Sequence, residues 1–380
     1  MTPSTVRYAM IGGFLGAGKT TSILRCAEWL AARGLRVGLV TNDQGGALVD
    51  TALAEAHRLP VEEIVGGCFC CRFTSLVEAA EALVGDTAPD VLLAEPVGSC
   101  TDLVATVSLP LEQLHGDRFT VAPMSVVVDP VRAERVLGLA SARLSEHVAY
   151  IYRKQLEEAE IVVVNKSDTV DRGRLDRLRE AIAGVNPTAE ILECSARLGH
   201  GLEAWFERLL AGRSRAAAIA EIDYDRYALG ESLLGWLNAE VRIGGSGADA
   251  AGPADDEAAE FDGNALLLDV LGRIRATAEA EGFEIAHLKG TLSLEGDPYE
   301  LAAANLVQSA DTAVLSHRLA EPVDVGRLLV NLRAEADPAI LERAVRSALG
   351  GCGELPVEIL HLEHFRPGRP VPTHRLPTRV

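Results

Sequence analysis

An α/β domain on a mostly parallel sheet, followed by a smaller α+β domain, is the architecture this sequence predicts. Three observations carry the prediction. Short apolar runs alternate with amphipathic helical stretches over residues 1–213, the pattern of a parallel sheet covered on both faces. Residues 244–263 then turn to Gly, Ala, Pro and acidic residues with no Lys or Arg, as in a flexible, solvated linker. Beyond them, residues 264–365 return to regular patterning, now opening on a helix. At 380 residues and 48% apolar composition, the chain can bury a core in each of two domains.

Residues 6–11 form an apolar strand that runs into a glycine loop. A helix is expected over 19–33, ended by Gly34, and a second strand over 35–41. Further strands fall at 91–94, 124–128, 161–164 and 190–192. Helical stretches at 76–84, 131–139, 174–183 and 202–210 separate them. The run Ile161-Val162-Val163-Val164 suits a strand buried on both faces. Residues 214–243 read as a connecting segment. In the second domain a helix at 265–280 precedes a strand at 284–294, a helix at 298–307 and strands at 312–316 and 326–332. A helix at 338–349 and a strand at 356–361 complete it. That order matches a ferredoxin-like split βαβ domain. The Pro- and Arg-rich tail, 366–380, should be extended.

The formal net charge of −19 argues against a nucleic-acid or anionic-membrane partner, since both are polyanions. No apolar run has the length needed to span a bilayer. Residues 1–10 lack the basic flank and long apolar stretch of a signal peptide, so a cytoplasmic location is expected. Seven cysteines in such a chain do not form a disulfide framework.

The first strand feeds G-x-x-x-x-G-K-[ST], from Gly13 through Gly16, Ala17, Gly18 and Lys19 to Thr20 and the adjacent Thr21. This is the pattern of a P-loop NTPase domain. Backbone N–H groups of such a loop wrap phosphates, and side chains at the glycines would obstruct them. Lys19 should reach the β- and γ-phosphates, and the Thr20 hydroxyl should ligate Mg²⁺.

Asn165-Lys166-Ser167-Asp168 follows the buried strand at 161–164. In that place an N-K-x-D tetrad reads guanine, with the Asp carboxylate accepting from N1–H and the exocyclic amine. Ser195 and Ala196 follow the next strand and fit a backbone-mediated base contact. Glu95-Pro96-Val97-Gly98 ends the strand at 91–94, where an acidic residue meets the Mg²⁺ shell and a glycine N–H senses the γ-phosphate. Asn42-Asp43-Gln44-Gly45 is a candidate first switch. Asp43 is placed to contact Mg²⁺ or its water, or else is a turn or N-cap residue. Gln44 is a candidate for orienting the attacking water. Lys19, Asp43 and Glu95 are thus the expected catalytic residues.

Gly66-Gly67-Cys68-Phe69-Cys70-Cys71 concentrates three thiols in four positions. Thiolates bind Zn²⁺, Co²⁺ and Ni²⁺, and availability decides among them. Arg72 is positioned to stabilise thiolates. A tetrahedral site needs a fourth ligand, and water, a His, an acidic residue or a second subunit in a homodimer could supply it. A redox switch and a purely structural zinc remain open as alternatives. Cys26, Cys194 and Cys352 read as packing residues; Cys100, which follows the Glu95–Gly98 motif, reads first as packing, with an approach to the site as the alternative. His361 and His364 fall in a strand rather than on a helix face.

In this order, Gly12–Thr21, Gly67–Cys71, Glu95–Gly98 and Asn165–Asp168 resemble the CobW-like GTPase family, metallochaperones of the cobalamin-synthesis-protein type. The resemblance spans the first 200 residues. It implies slow, metal-responsive GTP hydrolysis and delivery of a metal, or a metal cofactor, to a client metalloenzyme or cofactor-dependent protein. It also implies a C-terminal ferredoxin-like domain, whose start in relatives is similar to residues 285–290. Two departures stand out. The chain lacks the long His-rich stretch of many relatives, and Asp43-Gln44 stands where they usually carry Glu and Phe.

Overall fold

The computed structural model describes residues 5–140, 145–214, 219, 221–245 and 260–377. The expected linker at 244–263 falls largely outside the described residues. The chain divides into two compact units. Met1–Gln44, Leu59–Glu231 and Gly368–Val380 make the first, and Gly45–Arg58 and Ser232–Pro367 make the second.

The strands of the first unit are β1 (Val6–Gly12), β2 (Val37–Asn42), β3 (Val61–Ile64), β4 (Val91–Glu95), β5 (Phe119–Val121), β6 (Ser125–Val128), β7 (Ile161–Val164) and β8 (Glu190–Glu193). They form one parallel sheet in the order β3-β2-β4-β1-β6-β7-β8, with β5 also pairing β1. β5 takes the start of β1 and β6 takes its end, with Pro123, which has no N–H to donate, between them. All four residues of β7 are buried, as a strand covered on both faces requires.

Helix α1 (Lys19–Ala31) follows β1, and α2 (Val49–Ala56) lies in the second unit. The first unit continues with α3 (Phe73–Thr87), α4 (Leu109–His115), α5 (Pro130–Val136), α6 (Glu146–Glu158), α7 (Arg172–Val185), α8 (Leu202–Ala211) and α9 (Tyr224–Ser232). Because its strands are parallel, their C-terminal ends lie along one edge of the sheet. The loops after β1, β2, β3, β4, β7 and β8 carry the glycine-loop, switch, thiol and base-reading motifs singled out in the sequence, so the topology gathers them there.

In the second unit, β9 (Gly235–Gly244), α10 (Gly263–Glu281), β10 (Ile285–Leu294), β11 (Asp297–Leu306), β12 (Val314–His317), β13 (Val325–Ala334), α11 (Pro338–Leu349) and β14 (Val357–Phe365) follow in sequence. The sheet is antiparallel, in the order β12-β11-β10-β13-β9-β14. Its part β14-β9-β13-β10, with α10 and α11, is the ferredoxin-like arrangement, and β11 and β12 extend one edge. Leu237, Val241, Leu271, Ile274, Leu288 and Leu328 are fully buried in its core. Asp262 caps α10 and Asp337 caps α11, each accepting backbone N–H bonds. The Asn331 amide accepts from Val49 N–H at 2.9 Å, and Lys289 pairs with Asp50 at 2.5 Å, holding α2 in this unit.

The structure corrects two expectations and adds a placement for the tail. The segment 214–243 is not merely a connection, because β9 lies in it and pairs with both β13 and β14. Residues 298–307 form β11 rather than a helix. Their alanines favour helix locally, but the turn at Gly296 folds them back onto β10, and Ala302, Ala303 and Ala304 are buried. The tail from Gly368 returns to the first unit. Among the described residues no helix is long and apolar enough to cross a membrane.

Candidate nucleotide and metal site

The loop after β1 enters α1 through Gly18, at φ +94°. A Cβ there would stand 2.4 Å from the Asn165 amide nitrogen, so close approach and backbone conformation both demand glycine. Lys19 and Thr20 open α1 and are buried. Thr20 Oγ1 donates to Glu95 Oε1 at 3.0 Å, and Lys19 Nζ lies 3.8 Å from the same oxygen. A Cβ on Gly98 would meet Leu15 N and Lys19 Nζ at 3.1 Å, so the turn after β4 lies directly against the phosphate loop. Thr20 and Glu95 supply hard oxygen donors suited to Mg²⁺. Asp43 Oδ1 accepts from Gln44 N–H at 2.6 Å, and its own N–H donates to Ile64. The Gln44 amide donates to Glu231 at 3.2 Å.

Asn165 ties three loops together. Its amide nitrogen donates to Ala17 O at 2.9 Å, and its oxygen accepts from Ala196 N–H at 2.9 Å. Lys166 Nζ donates to Gly16 O at 2.7 Å and to Asp129 Oδ2 at 2.8 Å. Burial alone would raise the Asp129 carboxyl, but Lys166 and Arg132 outweigh it and hold it below the usual range. Asp168 behaves alike: burial pushes it up, and hydrogen bonds from Ser195 and Arg197 bring it down. Asp168 is therefore a carboxylate, the acceptor that the Watson–Crick edge of guanine needs. Gly13, Gly16, Ala17, Gly18, Lys19, Thr20 and Thr21 thus share one sheet edge with Gly98, Asn165, Lys166, Asp168, Ser195 and Ala196.

β3 delivers the thiol loop to that edge. Gly66 at φ +76° and Gly67 at φ +153° turn the chain, and the N–H groups of Cys71 and Arg72 both donate to Cys68 O. Asn42, at the end of β2, clamps the loop. Its amide donates to Ile64 O and Gly67 O at 2.9 and 2.8 Å and accepts from Phe69 N–H at 2.8 Å. The sulfurs of Cys68, Cys70 and Cys71 all lie within 4.8 Å of one another. Cys68 Sγ is 2.8 Å from Cys70 Sγ and 3.3 Å from Cys71 Sγ. Thiols converge on Cys68, that of Cys100 most strongly, and hold it well below the ordinary thiol range. The same hydrogen bonding to Cys68 drives Cys70 well up, and Cys71 up to about 11. The cluster thus stabilises one thiolate, at Cys68. Arg72 takes no part, since its Nε donates to Gly66 O. The soft sulfur donors fit a transition metal.

Residues 7–193 match the family described as "CobW/HypB/UreG, nucleotide-binding domain". This nucleotide-binding domain belongs to the CobW-like GTPase family. The chain is 24% identical over 379 residues to "Zinc chaperone CobW" of Pseudomonas aeruginosa, covering 92% of each chain. It is also 32% identical over 166 residues to "Zinc chaperone YeiR" of Escherichia coli, covering 43% of this chain and 47% of that one. Among solved structures, HypB of Archaeoglobus fulgidus is 21% identical with a TM-score of 0.39, covering 54% of this chain and 89% of that one. Zn(II)-bound YjiA of E. coli is 13% identical with a TM-score of 0.33, covering 92% and 99%.

In this CobW-like chain several residues at the site went unsingled in the sequence. Asp129 had a local signal, an acidic residue directly after a buried strand. Glu231 had none. It is buried on α9, and burial pushes its carboxyl up to about 8. Cys100 was read first as packing, yet its thiol bonds to Cys68. The tail also reaches the loop. Val371 N–H donates to Cys71 Sγ at 3.2 Å, Thr373 N–H to Cys70 O at 2.9 Å, and Arg375 pairs with Asp102 at 2.7 Å. Among the described residues, Cys68, Cys70 and Cys71 form the one group of three or more candidate ligands, so His361 and His364 belong to no such group.

Proposed function

We propose that this protein binds and hydrolyses GTP, binds a transition metal through Cys68, Cys70 and Cys71, and delivers it to a client metalloprotein. The observation that carries the reading is the double attachment of the thiol loop. Asn42, beside the candidate first switch, clamps it at three hydrogen bonds. Cys100, two residues beyond the Gly98 turn, bonds to Cys68. A loop held by both switch segments changes shape when they order around nucleotide.

Asp168 and the Ala196 backbone select guanine, and the loop of Gly13, Gly16, Ala17 and Gly18 holds the phosphates. Lys19 stabilises negative charge on the transferring phosphoryl group. Thr20 and Glu95 would hold Mg²⁺, which neutralises phosphate charge when bound. Asp43 adds a carboxylate at the mouth of the site. The cargo is zinc or cobalt, with zinc favoured by the printed names of the relatives. Client proteins are metalloenzymes or cofactor-dependent proteins, reached in the cytoplasm.

Metal analysis of anaerobically purified protein, combined with GTP and ATP turnover, tests the reading. One equivalent of metal, lost in Cys68→Ser, Cys70→Ser and Cys71→Ser, and turnover restricted to GTP are expected. Protein with no thiolate-bound metal and a disulfide between Cys68 and Cys70 would favour redox sensing. Equal turnover of ATP would remove the guanine assignment.

A further inference from the structure

Cys100 is buried, at 1% exposure. Its thiol hydrogen-bonds to Cys68, and the Tyr227 hydroxyl hydrogen-bonds to it. That hydroxyl is fixed in turn by Thr101 N–H at 3.3 Å. The carbonyls of Gly98 and Cys100 accept from the same Gln155 amide at 3.0 and 2.8 Å, so the whole turn is built and not loose. One helical turn beyond Tyr227, Glu231 lies close enough to Cys68 and Cys100 for charge on one to be felt by the others. The Glu231 carboxyl accepts from Gln44 through Oε2 and also hydrogen-bonds with Ser99.

Four sulfurs around a tetrahedral zinc stand roughly 3.8 Å apart, from Zn–S bonds of about 2.3 Å. Cys70 and Cys71 already stand at that spacing, 3.7 Å apart, while Cys68 lies closer in, 2.8 Å from Cys70 and 3.3 Å from Cys71. Cys100 stands outside that compact set, joined to it by its bond to Cys68.

Resting on the metal-binding reading above, we propose that Cys100 is the fourth thiolate of the site and the one ligand that answers to the nucleotide. Gly98 lies against Lys19 and the phosphate loop, so ordering of this turn on GTP advances Cys100 toward the metal. Its proton leaves as the sulfur binds. When the turn relaxes after hydrolysis the sulfur withdraws, takes up a proton, and water fills the fourth position. The four-sulfur site retains the metal, and the three-sulfur site yields it. Glu231, linked through Gln44 to the other switch, is a positioning residue beside the moving thiol.

X-ray absorption of the zinc-loaded full-length protein counts the sulfurs directly. Four sulfurs near 2.3 Å are expected with a non-hydrolysable GTP analogue, and three sulfurs plus one lighter atom with GDP. Three sulfurs in both states overturn the proposal, and four in both overturn its nucleotide dependence. Cobalt titration of Cys100→Ser gives a second readout. Its thiolate-to-cobalt charge-transfer band should fall by about a quarter in the GTP-analogue state, and affinity at least tenfold, on the scale of outer-shell losses or beyond. Nucleotide affinity of the metal-free protein should hold within about twofold. An unchanged band and affinity sink the proposal while leaving the three-cysteine reading intact. A parent protein that binds neither metal overturns both.

Discussion

In the proposed function Asp168 and Lys19 carry separable halves of nucleotide chemistry. Asp168 is anionic because Ser195 and Arg197 outweigh its desolvation, and it offers two acceptor oxygens to a base. Asp168→Asn replaces an acceptor by a donor. It should weaken GTP by on the order of 3 kcal/mol and favour a xanthine nucleotide, whose C2 carbonyl needs that donor. Competition binding with both nucleotides checks this, and an unchanged preference counts against it. Lys19→Ala removes the cation beside Glu95 and the phosphate loop. Turnover should fall about 100-fold or more with base preference unchanged. Retention of the parent rate would place the chemistry elsewhere. Both residues were legible because their motifs are local: the chain itself supplies the spacing. Cys100 was legible only as a residue that could approach the site, from its place after Glu95–Gly98, and Glu231 was not legible at all. Their positions depend on β3, β4 and α9 being brought together from far apart, and no pattern around Glu231 records it.

At the level of elements, legibility followed the same division. β7 announced itself because burial on both faces leaves a run of four β-branched residues. β9 did not, because its partners β13 and β14 lie more than eighty residues downstream. β11 was misread because pairing overrode alanine's helical preference. α6 and the Gly98–Asp102 turn provide a test of packing. Glu158, fully buried, accepts from Thr101 Oγ1 at 3.0 Å and Val104 N–H at 3.1 Å, and desolvation pushes its carboxyl up to about 8. The unfolded chain ionises this group near its ordinary value, below the folded one. Stability from Glu158 is therefore fully present at low pH and declines as pH rises toward 8, by up to ~1.4 kcal/mol per unit. Glu158→Gln should gain on the parent between pH 5 and pH 8 in urea unfolding. Parallel pH profiles of the two proteins would contradict this. The tail makes a second test. Deleting residues 368–380 removes the Val371 and Thr373 bonds to the thiol loop. Alkylation of Cys71 in the metal-free protein should accelerate at least several-fold, read by mass spectrometry, and an unchanged rate would deny the tail a covering role.

Over the whole molecule, the chain is not divided into two consecutive blocks. It leaves the first unit at Gly45, returns at Leu59, leaves again at Ser232 and comes back with the tail at Gly368. Sequence patterning found two domains because each has its own periodicity, parallel and alternating with helices in one and antiparallel in the other. It could not see the crossings, since a segment such as 45–58 carries no mark of which core it will join. Within the first unit, the candidate guanine, phosphate and thiol sites share one sheet edge, and Asn42, Gln44 and Cys100 lie between them. Linkage then requires that metal and nucleotide alter each other's affinity by one common factor. The decisive measurement is zinc affinity, by competition with a chelating dye, in the presence of GDP and of a non-hydrolysable GTP analogue. Tighter binding with the analogue is expected, by at least about fivefold, within the usual 1–3 kcal/mol of coupling, with zinc tightening the analogue by the same factor. Identical zinc affinities in the two nucleotide states would leave a nucleotide site and a metal site that do not communicate, and would contradict delivery driven by GTP.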